Sequence, residues 1–216
     1  MGWGFILPYY TSNILQVKNI KFIIVFLFFT LIVQSWTKAD GVTDLEIEGM
    51  SIGDSALDYF SEVKLNKHKE YYQNSKSKTF FLTNVYSSNF KKYDNIMFHF
   101  KDNDPAYIIH SISGAVFFED DGIKNVEECM IERNKIDKEF QKLFENSERT
   151  VKDNKPHAGD PTGKTFEHAI YYWLADESLA AISCNDYSKS FGGTNHFKVI
   201  VYSKDFAHWL TYIAYE

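Results

Sequence analysis

The sequence is short of arginine, of positive charge and of any apolar run long enough to cross a bilayer. Of its 23 basic residues only Arg133 and Arg149 are arginine, while Lys, Asn, Ile, Phe and Tyr abound. That bias is what AT-rich codons encode, so it is not read as function. Residues 1–39 hold Lys18, Lys21 and Lys38 and no acid, which leaves 20 basic against 29 acidic groups beyond them, a formal balance of −9. A domain so acidic repels phosphate backbones and anionic lipid, and no basic stripe interrupts it. Nucleic acid is thereby excluded as a partner.

The longest apolar run, Phe22 to Val33, has twelve residues, against the roughly 20 that a membrane-spanning helix needs. Lys18 and Lys21 precede it and Gln34-Ser35 follow it, which is the arrangement of a secretory signal peptide. Thr37-Lys38-Ala39 offers small residues for cleavage after Ala39, leaving no stable membrane span; an uncleaved anchor is the competing reading. No cysteine lies near the cleavage region, so a lipid anchor of the usual kind is not expected. The segment Met1 to Gln16 makes the positive region unusually long. A true start at Val17 would leave Lys18-Asn19-Ile20-Lys21 as a conventional one, and recovery of a peptide from residues 1–16 would rule that start out. The expected location is the periplasm or the outside of a bacterial cell.

Cysteine is scarce too, with only Cys129 and Cys184. In an exported protein they are candidates for a disulfide. Closing that separation would contribute about 4 kcal/mol on the loop-entropy model. The alternative is two separate buried thiols, since free cysteine is a good small core residue.

Signatures of chemistry are likewise missing. No Gly-x-Ser-x-Gly elbow marks a nucleophile. Residues 158–165, Ala-Gly-Asp-Pro-Thr-Gly-Lys-Thr, fit a permissive phosphate-loop pattern. That loop works only between a strand and a helix, and here a polar stretch precedes it and a strand follows. Asp102-Asn103-Asp104 begins like a calcium loop, but Ala106 takes the third ligand position, so a turn explains it better. Seven histidines are scattered without metalloprotease spacing. His99 and His110 share the parity of Met97 and remain the one weak candidate site, with no third metal ligand in view. No cofactor is indicated.

What is present is material for one core: 216 residues with 44% hydrophobic and 17% aromatic content, enough to bury about 70% of the unfolded surface. Residues 40–216 are expected to form a single α+β domain. Its sheet is mainly antiparallel, with a long amphipathic helix packed on one face and short helices near the N-terminus. Leu45 to Glu48 reads as a first short strand. Ser55 caps a helix whose inward face is Ala56, Leu57 and Phe60, and Ser61 opens a second helical turn through Leu65. Asn66 to Lys78 is a polar connection, and Thr79 to Val85 a strand.

Tyr93 to Lys101 alternates, with Ile96, Phe98 and Phe100 on one side. Asp102 to Pro105 turns the chain, and Tyr107 to Phe118 returns as a long strand. Gly114, in its middle, marks a bulge or a close backbone approach. From Ile123 to Phe144 the period becomes helical: Val126, Met130, Ile136, Phe140, Leu143 and Phe144 form a stripe with Cys129 beside it. Glu119, Asp120 and Asp121 precede its first turn, as the helix dipole favours. Asn146 to Thr165 reads as a polar loop. Strands follow at 166–174, 178–184 and 196–203, then a closing helix or strand at 205–212. Tyr171, Tyr172 and Trp173 could line an apolar ligand groove or pack the core. Ile96-x-Phe98-x-Phe100 with Ile112-Ser113 echoes Ile170-x-Tyr172-x-Leu174 with Ile182-Ser183, as if each half held one hairpin.

The stretch Glu48 to Ser61, with Tyr107-Ile108-Ile109, Ser113-Gly114, Glu128-Cys129 and Ile182-Ser183-Cys184, resembles a family of small exported proteins of uncharacterised activity from bacteria with AT-rich genomes. The resemblance implies that both cysteines belong to the family pattern, and it brings no activity or substrate. More loosely, Gly49 to Asp54 is similar to the entry of small envelope-assembly lipoproteins of the outer-membrane machinery. Two functional expectations follow. One is a non-catalytic envelope protein that binds a partner protein or small ligand through its sheet. The other is a secreted hydrolase of unfamiliar type. A cleft gathering His99, His110 and acidic groups favours the hydrolase; an aromatic sheet face favours the binding protein.

Overall fold

The computed structural model describes residues 41–72, 75–118, 122–157 and 160–216. The expected signal segment and the acids at 119–121 lie outside the described residues.

The strands are β1 (Lys69–Glu70), β2 (Phe80–Tyr86), β3 (Asn95–Lys101), β4 (Ser111–Phe117), β5 (Glu148–Pro156), β6 (Phe166–Trp173), β7 (Leu179–Asp186) and β8 (His196–Tyr202). They form one sheet in the order β1-β2-β3-β4-β8-β7-β6-β5. Each neighbouring pair is antiparallel, so the chain is α+β. Its helices are α1 (Glu62–Asn66), α2 (Val126–Leu143) and α3 (Lys204–Tyr212). The two echoing stretches do form hairpins, β3 with β4 and β6 with β7.

Alternation along each strand divides the side chains between two faces of the sheet. The register carries Ile96, Phe98, Ile112, Val199, Val201, Ala180, Ile182, Ile170 and Tyr172 to one face, and all of them belong to the main core. Burying a residue such as Phe98 or Ile112, both fully enclosed, contributes about 1.5–3 kcal/mol each. Gly114 faces the same way, and the Tyr93 ring lies 2.5 Å from where a Cβ would stand. The close approach expected at this glycine is therefore a ring laid against the backbone.

Helix α2 opens on Asn125, whose side chain accepts from the Glu128 amide, while the Glu128 carboxylate accepts from the Lys124 amide. This reciprocal cap starts the helix. Its buried positions are Cys129, Arg133, Asp137 and Phe140, so the inward stripe carries two charged residues that hydrophobic periodicity alone passes over. Cys129 is bonded to Cys184 of β7 with sulfurs 2.01 Å apart, and no free cysteine remains. Asp137 accepts the Tyr172 hydroxyl and the Arg149 guanidinium. Arg133 pairs with Asp153.

Several local expectations are corrected. Leu45 to Glu48 is no strand: Ile47 and Met50 exchange backbone hydrogen bonds around Glu48 (φ 54°) and Gly49 (φ 78°), a turn with both central residues left-handed. The Glu48 carboxylate holds it in place by accepting the Lys91 and Lys92 amides. The Ser55 cap leads only a single 3-10 turn over Ala56–Asp58, and Leu57 faces outward instead of inward. The polar connection after Asn66 includes β1, a two-residue edge strand.

The strand expected from Tyr107 begins at Ser111. Asp104 accepts the Ala106 and Ile108 amides, and Tyr107 is left-handed at φ 49°, so those residues form a capped loop. The largest miss is the polar loop at 146–165, which contains the nine-residue β5. It is an edge strand, exposed along almost its whole length, with a bulge between Lys152 and Lys155 and a proline at its end. Charge, bulge and proline are how edge strands resist pairing with other chains, and they hide the strand from pattern reading.

Candidate functional site

His99 and His110 both border one aromatic cluster, His99 fully buried and His110 half-buried. His99 is fully buried, stacked on Tyr72 at 5.5 Å and tilted against Phe206 at 4.3 Å. Its Nδ1 meets the Ser111 hydroxyl at 3.0 Å and its Nε2 the Tyr72 hydroxyl at 2.9 Å. Burial, and then the charge of Lys198, hold it well below the usual histidine range, as a neutral ring. Both nitrogens are satisfied, so neither is left for a metal. His110 lies one residue before β4, not within the hairpin ladder; its ring meets Phe80 at 5.3 Å and its Nδ1 meets the Ser203 hydroxyl at 3.3 Å. No group of three His, Cys, Asp or Glu side chains that could hold a metal occurs among the described residues.

The phosphate-loop lookalike is filled by its own acid. Asp160 accepts the amide and hydroxyl of Thr162 and the hydroxyl of Ser188. Hydrogen bonds from Thr165 and Thr162 hold its carboxyl well below the usual carboxylate range. A carboxylate therefore takes up the donors that a phosphate would need, and the segment ties the β5–β6 connection to Ser188.

A different region has the shape and chemistry of a site. The second face of the sheet bears Tyr171 and Trp173 of β6, Ala181 of β7, and Lys198, Ile200 and Tyr202 of β8, by alternation from the register. Helix α3 runs over one end of it. Ser203 caps that helix by accepting the Phe206 amide. Phe206 and Trp209 then dock on Phe80 at 5.3 and 5.2 Å. Beside this contact a groove of about 490 Å³ opens between the helix and strands β5 to β8, with Trp173, Tyr171, Ile200 and Tyr202 on the sheet side and Ala207 and Leu210 on the helix side. That volume is in the range of small-molecule sites.

The groove's polar groups lie toward the β5 edge. Glu167 accepts the Tyr171 hydroxyl at 3.1 Å and faces the Lys155 ammonium at 3.5 Å. The Lys152 ammonium stands 5.7 Å from the centre of the Tyr171 ring. Burial, with Glu167 adding to it, pushes the Tyr171 hydroxyl above its ordinary range, and the same causes act on Tyr202. Both stay protonated at neutral pH, the Tyr171 proton being held by Glu167.

Lys198 is the unusual member of this face. It pairs in the ladder with Ser183 and Ala115, small residues that leave room for its chain. It is only part-exposed, yet no hydrogen bond or ion pair joins its ammonium to any described residue. Desolvation pushes its pKa down to about 8, with Glu167 opposing. Ser113 stands across from Ile200 on the neighbouring strand, diagonal to Lys198. Its hydroxyl is buried without a hydrogen-bond partner, the one such side-chain atom among the described residues. Beyond Lys198, His196 donates from Nδ1 to the Thr194 carbonyl at 2.8 Å, so its Nε2 accepts the Asn185 amide at 3.2 Å. Burial pushes His196 down to about 4.

The chain matches no protein-family model, no curated protein and no solved structure. Sequence reasoning found the aromatics Tyr171 and Trp173 but missed Lys198 and Ser113. A signal was there: Lys198 interrupts the apolar run Phe197-Lys198-Val199-Ile200-Val201, and a charge inside a central strand needs either a partner or a purpose.

Proposed function

We propose that the protein is an exported, non-catalytic binding protein that holds a small ligand on the second face of its sheet, in the groove beneath α3. In this reading α2 and the short helices near the N-terminus close the first face, and the groove is left for the ligand. The observation that carries it is the groove itself: aromatic and aliphatic walls, a few hydroxyls, and lysines on a chain whose overall balance is acidic. Membership of a family of small exported proteins, with removal of the segment before Asp40, belongs to the same reading. The disulfide supports it, since such bonds persist in oxidising compartments. Enclosure of His99, with both ring nitrogens taken up by Tyr72 and Ser111, favours binding over hydrolysis.

The test is capture of the tagged protein from its native envelope, followed by identification of retained small molecules. Thr211 lines the groove from the exposed side of α3, so Thr211→Trp narrows the mouth without touching the core. A compound retained by the wild-type protein and lost from Thr211→Trp is the expected result. Identical retention by both would count against the groove.

A further inference from the structure

We propose that the groove beneath α3 takes a neutral oligosaccharide lying along β6, one sugar ring packed on Trp173 and the hydroxyls of another meeting Glu167 and Lys155. This rests on the groove being the binding site, and adds to it the ligand's chemical class.

Trp173 is the unengaged aromatic of the groove. It lines the groove and is part-exposed, and among the described residues no ring, cation or hydrogen-bond partner meets its indole. The other aromatics there are occupied. The Tyr171 hydroxyl is given to Glu167 and its ring has Lys152 nearby, while the Tyr202 ring meets Phe206 at 4.9 Å. Trp209 makes the contrast plain: it is 2% exposed, packed on Phe80 and Phe206, and donates its indole N–H to Ser77. A bare indole face is apolar and electron-rich, and the polarised C–H bonds along one side of a sugar ring pack on such a face.

The other end of the groove decides between ligand classes. Lys155 stands opposite Glu167 in the β5–β6 ladder and pairs with it at 3.5 Å, with the Glu167 side chain 21% exposed. An apolar ligand would strip the water from this pair and return nothing. An anion would be repelled by Glu167, and a cation by Lys155 and Lys152. Hydroxyl groups both donate and accept, so a polyol satisfies carboxylate and ammonium together without a net charge. Thr150, opposite Tyr171, adds one more hydroxyl between the two ends. Glu167 and Trp173 are six residues apart on β6, about 20 Å at the rise of a strand. A single sugar ring cannot reach both, so the ligand is a chain of them.

The experiment titrates the full chain with tetrasaccharides of glucose and of N-acetylglucosamine and with the two monosaccharides. 3-Phenylpropanol serves as the apolar probe and glucuronate as the acidic sugar, with tryptophan fluorescence and calorimetry as readouts. The variants are Trp173→Ala, Trp173→Phe, Glu167→Gln and, as control on α1, the exposed Val63→Ala. At least one tetrasaccharide is expected to bind, more tightly than its monosaccharide, and to shift an emission that Trp173→Phe lacks. Trp173→Ala should weaken it about 10-fold and Trp173→Phe about threefold at most. Glu167→Gln should weaken it about fivefold, the difference between a charged and a neutral acceptor, and Val63→Ala not at all. Thermal unfolding of each variant checks folding.

Equal binding of the tetrasaccharide to wild type and Trp173→Ala overturns the proposal, as does tighter binding of 3-phenylpropanol or glucuronate than of any neutral sugar. Binding of none of the sugars overturns it too. A compound other than a saccharide, retained from the envelope and lost from Thr211→Trp, overturns the ligand class while leaving the groove in place. Sugar binding that Thr211→Trp leaves unchanged counts against the groove itself.

Discussion

The two faces of the sheet treat buried charge in opposite ways. On the first, Asp137 is engaged by Arg149, Tyr172 and Gln141, Arg133 meets Asp153, and a disulfide ties α2 to β7. Both arginines of the chain are used there. On the second, the buried Ser113 hydroxyl has no hydrogen-bond partner, and the part-exposed Lys198 is desolvated with only the Glu167 carboxylate opposing that cost. A polar network is stabilising only when every member is satisfied, so the first face reads as architecture. Departure from that consistency on the second face is what a binding position looks like.

Breaking the first face should have the largest effect. Replacing Cys129 and Cys184 together by alanine is expected to lower stability by about 3–4 kcal/mol in urea unfolding, and reduction of the wild-type protein should do the same. A loss below about 1 kcal/mol would mean that α2 is held mainly by other contacts. Asp137→Asn comes next, at about 2 kcal/mol, because it removes the charge that Arg149 and Tyr172 meet. Burial pushes the Asp137 carboxyl up, but bonds from Arg149 and Tyr172 outweigh it and hold the pKa below 3.8. The stabilisation is thus present above the unfolded value and lost as pH falls through the folded one. Wild type should weaken in that acid window more than Asp137→Asn does. Gly114→Ala drives a methyl into the Tyr93 ring and should lose about 1–2 kcal/mol, measured the same way.

Lys198→Met, on the second face, is the smallest change and the one with the opposite sign. It should raise stability at pH 7 by about 1 kcal/mol, since it removes a desolvated ammonium. The lysine pKa is about 8 in the fold against 10.5 when free, so the unfolded chain binds more protons between those values. Wild-type stability should therefore rise with pH from about 8 to 10.5, and the variant should stay flat. A wild-type curve flat over that window would remove the contrast between the faces.

Much of the first face was legible in the sequence, because it follows from rules of periodicity. The alternation of Ile96, Phe98 and Phe100 and the helical stripe through Cys129 and Phe140 gave the class and the hairpins, and the presence of just two cysteines in a chain read as exported gave the disulfide candidate. Arg133 and Asp137 escaped because a polar residue on an inward stripe looks like an interruption until its partner is known. Strand β5 escaped because an edge needs no hydrophobic alternation. The second face was barely legible: Lys198, Ser113 and Glu167 lie far apart in the chain and meet only through the order of the strands. His99 and His110 drew attention by residue type, whereas His99 is satisfied by Tyr72 and Ser111.

The most direct test of the contrast is an NMR titration of the protein with carbon-13 at the lysine ε position, with Lys198→Met to assign the signal. One resonance, missing from the variant, should titrate near pH 8. Titration of every lysine near 10.5 would contradict a desolvated amine on the second face.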